Sequence, residues 1–162
     1  ESFTFQLKLL IEQIKFIDSQ VEECETKIKE LMKKINSPIT TIPGIGPVLG
    51  AVIISEFSDI SRFDKPSKLV AYAGIDATIS QSGEFEGTHN VMSKRGSPYL
   101  RKALFQAALV ASNTDPVLKD YYQKKRAEGK HHKTCIGAVA RKMCNIIYAV
   151  LKNNSSYEVP KQ

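Results

Sequence analysis

The sequence predicts a mainly α fold: a long N-terminal coiled-coil helix, then a compact helical domain with a helix-hairpin-helix-like element and a small irregular or β-hairpin segment. Three observations predict it. Apolar residues recur at heptad spacing through the first 35 positions. Four later stretches with apolar content suited to helix each begin at a proline, at Pro47, Pro66, Pro98 and Pro116, where a missing N–H and a fixed φ suit the first helical turn. Only residues 75–87 alternate β-formers with polar residues around a Ser-Gly pair.

The heptad segment comes first. Phe3, Leu7, Leu10, Ile14, Ile17, Val21, Cys24, Ile28, Leu31 and Ile35 step by four and three in strict alternation, with Glu and Lys in nearly half of the other positions. That seam argues for a coiled-coil helix of about 30 residues ending near Asn36, about 45 Å long at 1.5 Å per residue. A domain of this size cannot cover such a projection. A two-chain coiled coil and an intrachain bundle would each satisfy the seam, and the projection favours the first. Phe5, Ile11 and Phe16 lie off the seam, which suggests either a wider interface or a packing face supplied by the domain itself.

Ser37-Pro38 breaks this helix, and the run from Thr41 to Ser55, TIPGIGPVLGAVIIS, follows. Gly44 and Gly46 can form a tight hairpin, and Pro47 can open a helix that is apolar nearly all round and therefore expected to be buried. The order is that of a helix-hairpin-helix element, in which backbone N–H groups at a helix N-terminus reach a phosphate without side-chain obstruction. A plain turn between two core helices is the competing reading. A dinucleotide-binding fingerprint is excluded by context, since no strand precedes the glycines and none completes a βαβ unit.

Beyond a capped turn at SDISRFD, KPSKLVAYA reads as a short helix stopped by Gly74, and IDATISQSGEFEG as a small hairpin or ordered loop. Ser97-Pro98 starts a helix with Leu100, Leu104, Ala107, Ala108 and Ala111 on one face. Asp115-Pro116 starts another through about Ala127, ended by Glu128-Gly129. The last helix, from about His131 to Lys152, turns Ile136, Val139, Ala140, Met143, Ile147 and Val150 inward, and a frayed tail is expected from Asn153. The resulting division is 1–37, 38–152 and 153–162.

Composition is ordinary for a globular chain of 162 residues, 42% hydrophobic and 25% charged, with a net charge of +6. The charge is uneven: residues 1–36 hold six Lys and seven Asp or Glu, leaving 17 basic and 10 acidic residues in 37–162, a net of +7. That field permits a nucleic-acid partner. Cys24, Cys135 and Cys144 have neither paired spacing nor a secretory signal ahead of them, which argues for reduced thiols in a cytoplasmic protein, and no apolar run is expected to reach the roughly 18 residues that cross a bilayer, so no membrane partner is expected. His89, His131 and His132 do not join the cysteines at metal-ligand spacing, so no metal site is expected in this chain. Asp76, Glu84 and Glu86 are the only carboxylates near the irregular segment. Candidate nucleophiles there are Ser80, Ser82, Ser93 and Ser97, amid Lys94, Arg95, Arg101 and, one residue on, Lys102.

TIPGIGPVLGAVIISEFSDISRFDKPSKLVAYAGI, then QSG, SKRGSPYLRKALFQAA and the AVARKM segment, together resemble the C-terminal domain of the insertion-sequence-110 transposase family. The resemblance covers Thr41 to about Leu151, and the heptad helix is similar to the coiled coil that precedes this domain there. It implies a bacterial or archaeal DNA transposase, guided by a structured RNA, that cuts and rejoins DNA through a covalent serine–DNA intermediate. Ser82, in the Ser-Gly pair, matches the nucleophile. The divalent metal, Mg²⁺, belongs with acidic residues of an N-terminal RNase-H-like domain, and this chain begins at Glu1 without one. A fragment inactive alone, with no cofactor of its own, is the expectation. DNA, guide RNA and further copies of the chain are the implied partners, with Gly44, Gly46, Lys94, Arg95, Arg101 and Lys102 as nucleic-acid contacts. Ser97 departs from the family pattern, where Asn is common. The alternative is a non-catalytic DNA-binding and dimerisation module with an inert Ser82.

Overall fold

A computed structural model describes residues 2–77, 81–82, 85–86 and 91–159, with 81–82 and 85–86 described by their backbone. The described residues are mainly α and fall into two compact units, Glu1–Asn36 and Ser37–Gln162. The first unit is a single helix, α1 (Ser2–Ile35). It runs without a break, ends on Lys33 and Lys34, which favour the negative end of the helix dipole, and stops where Asn36 turns to φ +48°. Its seam faces water: Phe3 is 76% exposed, Ile14 59% and Ile35 56%.

The second unit opens with a four-residue 3-10 turn, Pro38–Thr41, and then α2 (Pro47–Phe57). The element before the glycines is thus one short turn. Gly50, Ile53 and Phe57 of α2 are buried, whereas Val48, Leu49, Ala51, Val52 and Ile54 are half-buried. This corrects the expectation of an all-round buried helix. Eleven residues pack against one long neighbour and the 3-10 turn, too little surface to enclose every side. A second 3-10 turn, Ile60–Arg62, is capped by Asp59, whose carboxylate accepts from Ser61 N–H at 2.8 Å. It leads to α3 (Pro66–Tyr72), ended by Gly74 at φ +64°. Two short strands follow, β1 (Gln81–Ser82) and β2 (Phe85–Glu86), antiparallel with Gln81 opposite Glu86 and Ser82 opposite Phe85.

The core is built on α4 (Pro98–Thr114) and α6 (His132–Asn153), with α5 (Pro116–Ala127) packed on both. Leu100, Leu104, Ala107, Ala108 and Ala111 of α4 are buried, as are all six residues expected to face inward from α6. The alanine face lets helix backbones approach closely, and Gly137 of α6 leaves room for the Phe105 ring. Ser97 and Asp115 cap α4 and α5, accepting from Leu100 N–H at 3.1 Å and Leu118 N–H at 2.8 Å. Each such cap contributes about 1 kcal/mol. By length and composition α6 could cross a membrane, yet half of its most apolar window is buried in this unit, as expected of a core helix.

The tail is not frayed throughout. Tyr157 donates its hydroxyl to Asp115 Oδ2 at 2.7 Å, and its backbone N–H donates to Thr41 Oγ1 at 2.8 Å. Two hydrogen bonds to fixed partners outweigh the tendency of a polar end to stay loose, and no periodicity announces them.

Candidate functional site

The irregular segment leaves the helical core through a backbone ladder. Ser97 N–H donates to Tyr72 O at 2.9 Å, Lys94 N–H to Gly74 O at 3.0 Å and Ser93 N–H to Asp76 O at 2.9 Å, with Ala77 and Met92 forming an antiparallel bridge beyond. At its inner end the two strands nearly touch. A Cβ on Gly96 would lie 2.0 Å from Tyr72 O, and one on Gly74 would lie 2.6 Å from Gly96 N and 2.9 Å from an Arg101 guanidinium nitrogen. Two glycines 22 positions apart are required by one crossing. Arg101 locks it, donating from that nitrogen to Ala73 O at 3.2 Å and Gly96 O at 3.5 Å.

The residues expected to act on nucleic acid occupy distinct places around this ladder. Ser82 lies in β1, on the excursion whose base the ladder holds, and its side chain lies outside the described residues. Lys94 and Arg95 are exposed on the returning strand, Lys94 in left-handed backbone at φ +53°. Lys102 is exposed on the first turns of α4. Arg101 is half-buried and spends its guanidinium on carbonyl groups of the fold. Gly44, at φ +86°, packs against α4, where a Cβ would meet Ala107 O at 2.4 Å. Gly46 has extended backbone, stands before α2 and has nothing within 4 Å of a Cβ. The hairpin and Arg101 therefore meet the same helix, six residues apart, roughly 9 Å along its axis.

Of the other candidates, Ser93 Oγ donates to the Asp76 carboxylate and Ser97 Oγ is the α4 cap. Both hydroxyls hold the fold. Ser80, Glu84 and His89 lie outside the described residues, as does the side chain of Glu86. His131 caps α6, and His132 Nδ1 shares a hydrogen bond of 2.8 Å with the Tyr122 hydroxyl. Cys135 and Cys144 are buried, and burial pushes the Cys144 thiol up to about 12, which makes it chemically inert. Among the described residues no three His, Cys, Asp or Glu converge to hold a metal ion. In the basic run at the α5–α6 turn, Lys125 and Lys130 both reach Glu128 at 2.8 Å, hydrogen bonds that pull its carboxyl down to about 2.

Residues 36–123, more than half of the chain, match the family model described as the transposase IS116/IS110/IS902 family. This protein belongs to that transposase family. The 43.6 kDa protein of insertion element IS110 from Streptomyces coelicolor is 29% identical over 145 residues, 88% of this chain and 35% of that protein. The 42 kDa protein of insertion element IS900 from Mycobacterium paratuberculosis is 28% identical over 151 residues, 91% of this chain and 38% of that protein. A pilin gene-inverting protein of Moraxella bovis is 31% identical over 123 residues, 75% of this chain and 38% of that protein. The chain thus spans little more than a third of the length of these relatives.

One further feature of this transposase-family chain escapes sequence reasoning. Ser67 and Val70 of α3, Asp76, Tyr121 of α5, and Ala138, Arg141, Lys142 and Asn145 of α6 line an open cleft of about 420 Å³. Lys142 Nζ lies 4.7 Å from the centre of the Tyr121 ring, a cation–π contact. Its signal is the Arg-Lys pair of the AVARKM segment, visible in sequence but without a place until α3 and α5 are set beside α6.

Proposed function

We propose that this chain is the C-terminal part of a DNA transposase or recombinase in which Ser82 is the nucleophile. The single observation that carries the reading is the base of the serine excursion. Glycines 74 and 96, the Arg101 lock and the Ala77–Met92 bridge tie the segment bearing Ser82 to the core. A nucleophile needs such a fixed mount, because misplacement by about 1 Å can cost about a hundredfold in rate. Lys94, Arg95 and Lys102 add exposed positive charge for a phosphodiester and its developing negative charge. The gene-inverting name of the Moraxella relative also supports strand exchange on DNA.

In this reaction Ser82 Oγ forms a bond to phosphorus, one P–O bond to deoxyribose breaks, and the leaving oxygen takes up a proton as Oγ loses its own. Phosphodiester number is conserved, so rejoining needs no external energy source. A neutral serine is a weak nucleophile and needs a base or a metal ion to activate it. Its activation, with the Mg²⁺ and carboxylates this family resemblance implies, belongs to an N-terminal domain outside this chain. Guide RNA and additional copies, joined through α1, complete the assembly in the cytoplasm of a bacterium or archaeon.

The test is made in a full-length protein carrying this region. Ser82→Ala should abolish the covalent protein–DNA adduct and strand exchange while leaving DNA affinity within about twofold. An adduct that survives Ser82→Ala but not Ser80→Ala would move the nucleophile. One that survives both leaves serine chemistry here without support, since Ser93 and Ser97 are engaged in the fold.

A further inference from the structure

We infer that the cleft between α3, α5 and α6 seats a backbone phosphate of a single DNA strand, with Arg141 and Lys142 as the phosphate contacts and Tyr121 as a surface for the adjoining base. The inference rests on the reading of Ser82 as nucleophile only for the choice of DNA over RNA.

The cleft has the composition such a strand requires. Arg141 is exposed and makes no hydrogen bond or ion pair with the described residues, so its planar fork is free for two phosphate oxygens. Lys142, half-buried, is held over the Tyr121 ring by its cation–π contact, which fixes its ammonium without neutralising it. Ser67 and Asn145 are exposed on the rim and offer uncharged donors. Asp76, the one carboxylate in the lining, already accepts a hydrogen bond from the Ser93 hydroxyl. Two cations against one engaged carboxylate leave the cleft positive. Lys125 Nζ also approaches the Tyr121 ring, 5.6 Å from its centre, so an adjoining base meets the part of the ring that the two ammonium groups leave open. An aromatic side chain among cations is the combination that binds single strands with little sequence preference, because every base offers a flat face to stack on. The volume of about 420 Å³ falls within the roughly 300–1,000 Å³ typical of ligand sites.

Position gives the cleft its role. Asp76 lines it and also anchors the ladder one residue before Ala77, where the excursion carrying Ser82 departs. A strand lying in the cleft would run past the foot of that excursion. Arg141, Lys142 and Tyr121 are therefore positioning residues that hold the strand, with the chemistry left to the serine.

The experiment measures binding of this 162-residue chain to a fluorescent single-stranded DNA of mixed sequence across a salt series. Arg141→Gln with Lys142→Gln should weaken binding at least tenfold and lower the salt slope by about 0.7, the share of the one phosphate the pair neutralises on a single strand. Lys119→Gln with Lys133→Gln removes the same charge elsewhere and should leave the slope nearly unchanged. DNA carrying 5-iododeoxyuridine should photo-crosslink to the peptide containing Tyr121. If the double variant fails to fold, Arg141→Gln alone serves, because that side chain has no partner in the described fold.

Equal losses from the cleft and control variants, no loss from either, or crosslinks confined to other peptides would overturn the site. A larger effect on RNA of the same sequence would overturn the assignment to DNA. Ser82→Ala should not alter this binding. A cleft that fails while the Ser82 adduct test succeeds therefore removes only the positioning site, and the reverse removes only the nucleophile.

Discussion

Gly44 and Gly46 stand two residues apart and answer different demands. Gly44 has a positive φ and its missing side chain is filled by the Ala107 carbonyl of α4, so it serves helix-to-hairpin packing. Gly46 has ordinary extended backbone and open space around it, so packing does not require glycine there. A phosphate approaching the start of α2 would. Gly44→Ala should therefore destabilise the domain by about 3 kcal/mol, backbone strain and overpacking each contributing, read as a fall in the urea midpoint. Gly46→Val should melt within a few degrees of the parent and lose DNA affinity severalfold. If the folded Gly46 variant binds DNA like the parent, the hairpin is a structural turn and the phosphate contacts lie elsewhere, and a Gly44 variant of full stability would contradict the packing account itself.

Helix α1 presents the same contrast at the scale of an element, since a helix that is complete by its own hydrogen bonds leaves its apolar seam in water. Ten heptad residues on one face are stable in water only when covered, and a second copy of this helix would supply a matching seam. Cys24 is a convenient reporter, being exposed and in the seam while Cys135 and Cys144 are buried. Its alkylation should slow as protein concentration rises through the micromolar range, and Ile14→Asp should restore fast alkylation and give a monomer by sedimentation. A monomer in the parent, with concentration-independent alkylation, would show that no second copy covers the seam. The helix itself was legible because heptad spacing is a local property, and so were α3 to α6, each opened by Pro or a cap and closed at a Gly, at a further capping residue or in the polar tail. What was not legible depends on residues distant in sequence. The burial of α2 depends on how many neighbours it meets, the Gly74–Gly96 crossing on strands 22 positions apart, and the employment of Arg101 on carbonyls that only the fold delivers. The Ser-Gly pair was findable by resemblance, whereas the Tyr121–Lys142 cleft needed three helices in place.

At the scale of the molecule, the compact unit is closed by its own two ends. Tyr157 N–H bonds to Thr41 Oγ1, 116 positions earlier, and the Tyr157 hydroxyl reaches Asp115, a fully buried carboxylate whose other oxygen caps α5. One residue of the tail thus joins the turn before the glycine hairpin to the α4–α5 junction. Tyr157→Phe keeps the ring but leaves Asp115 Oδ2 without its donor, a loss of about 1–3 kcal/mol for a buried acceptor. The pH dependence separates this from mere packing. Burial first, then the hydrogen bond and charge of Asp115, raise the Tyr157 phenol well above its ordinary value of 10. The folded state thus holds the proton more tightly than the unfolded one, so the contribution is complete below pH 10 and is lost as pH rises above it. Urea midpoints of parent and Tyr157→Phe should differ by a constant amount from about pH 7 to 9 and draw together progressively as pH rises above about 10. A gap that persists unchanged at the alkaline end, or none at neutral pH, would show that the tail does not close the unit through this hydroxyl.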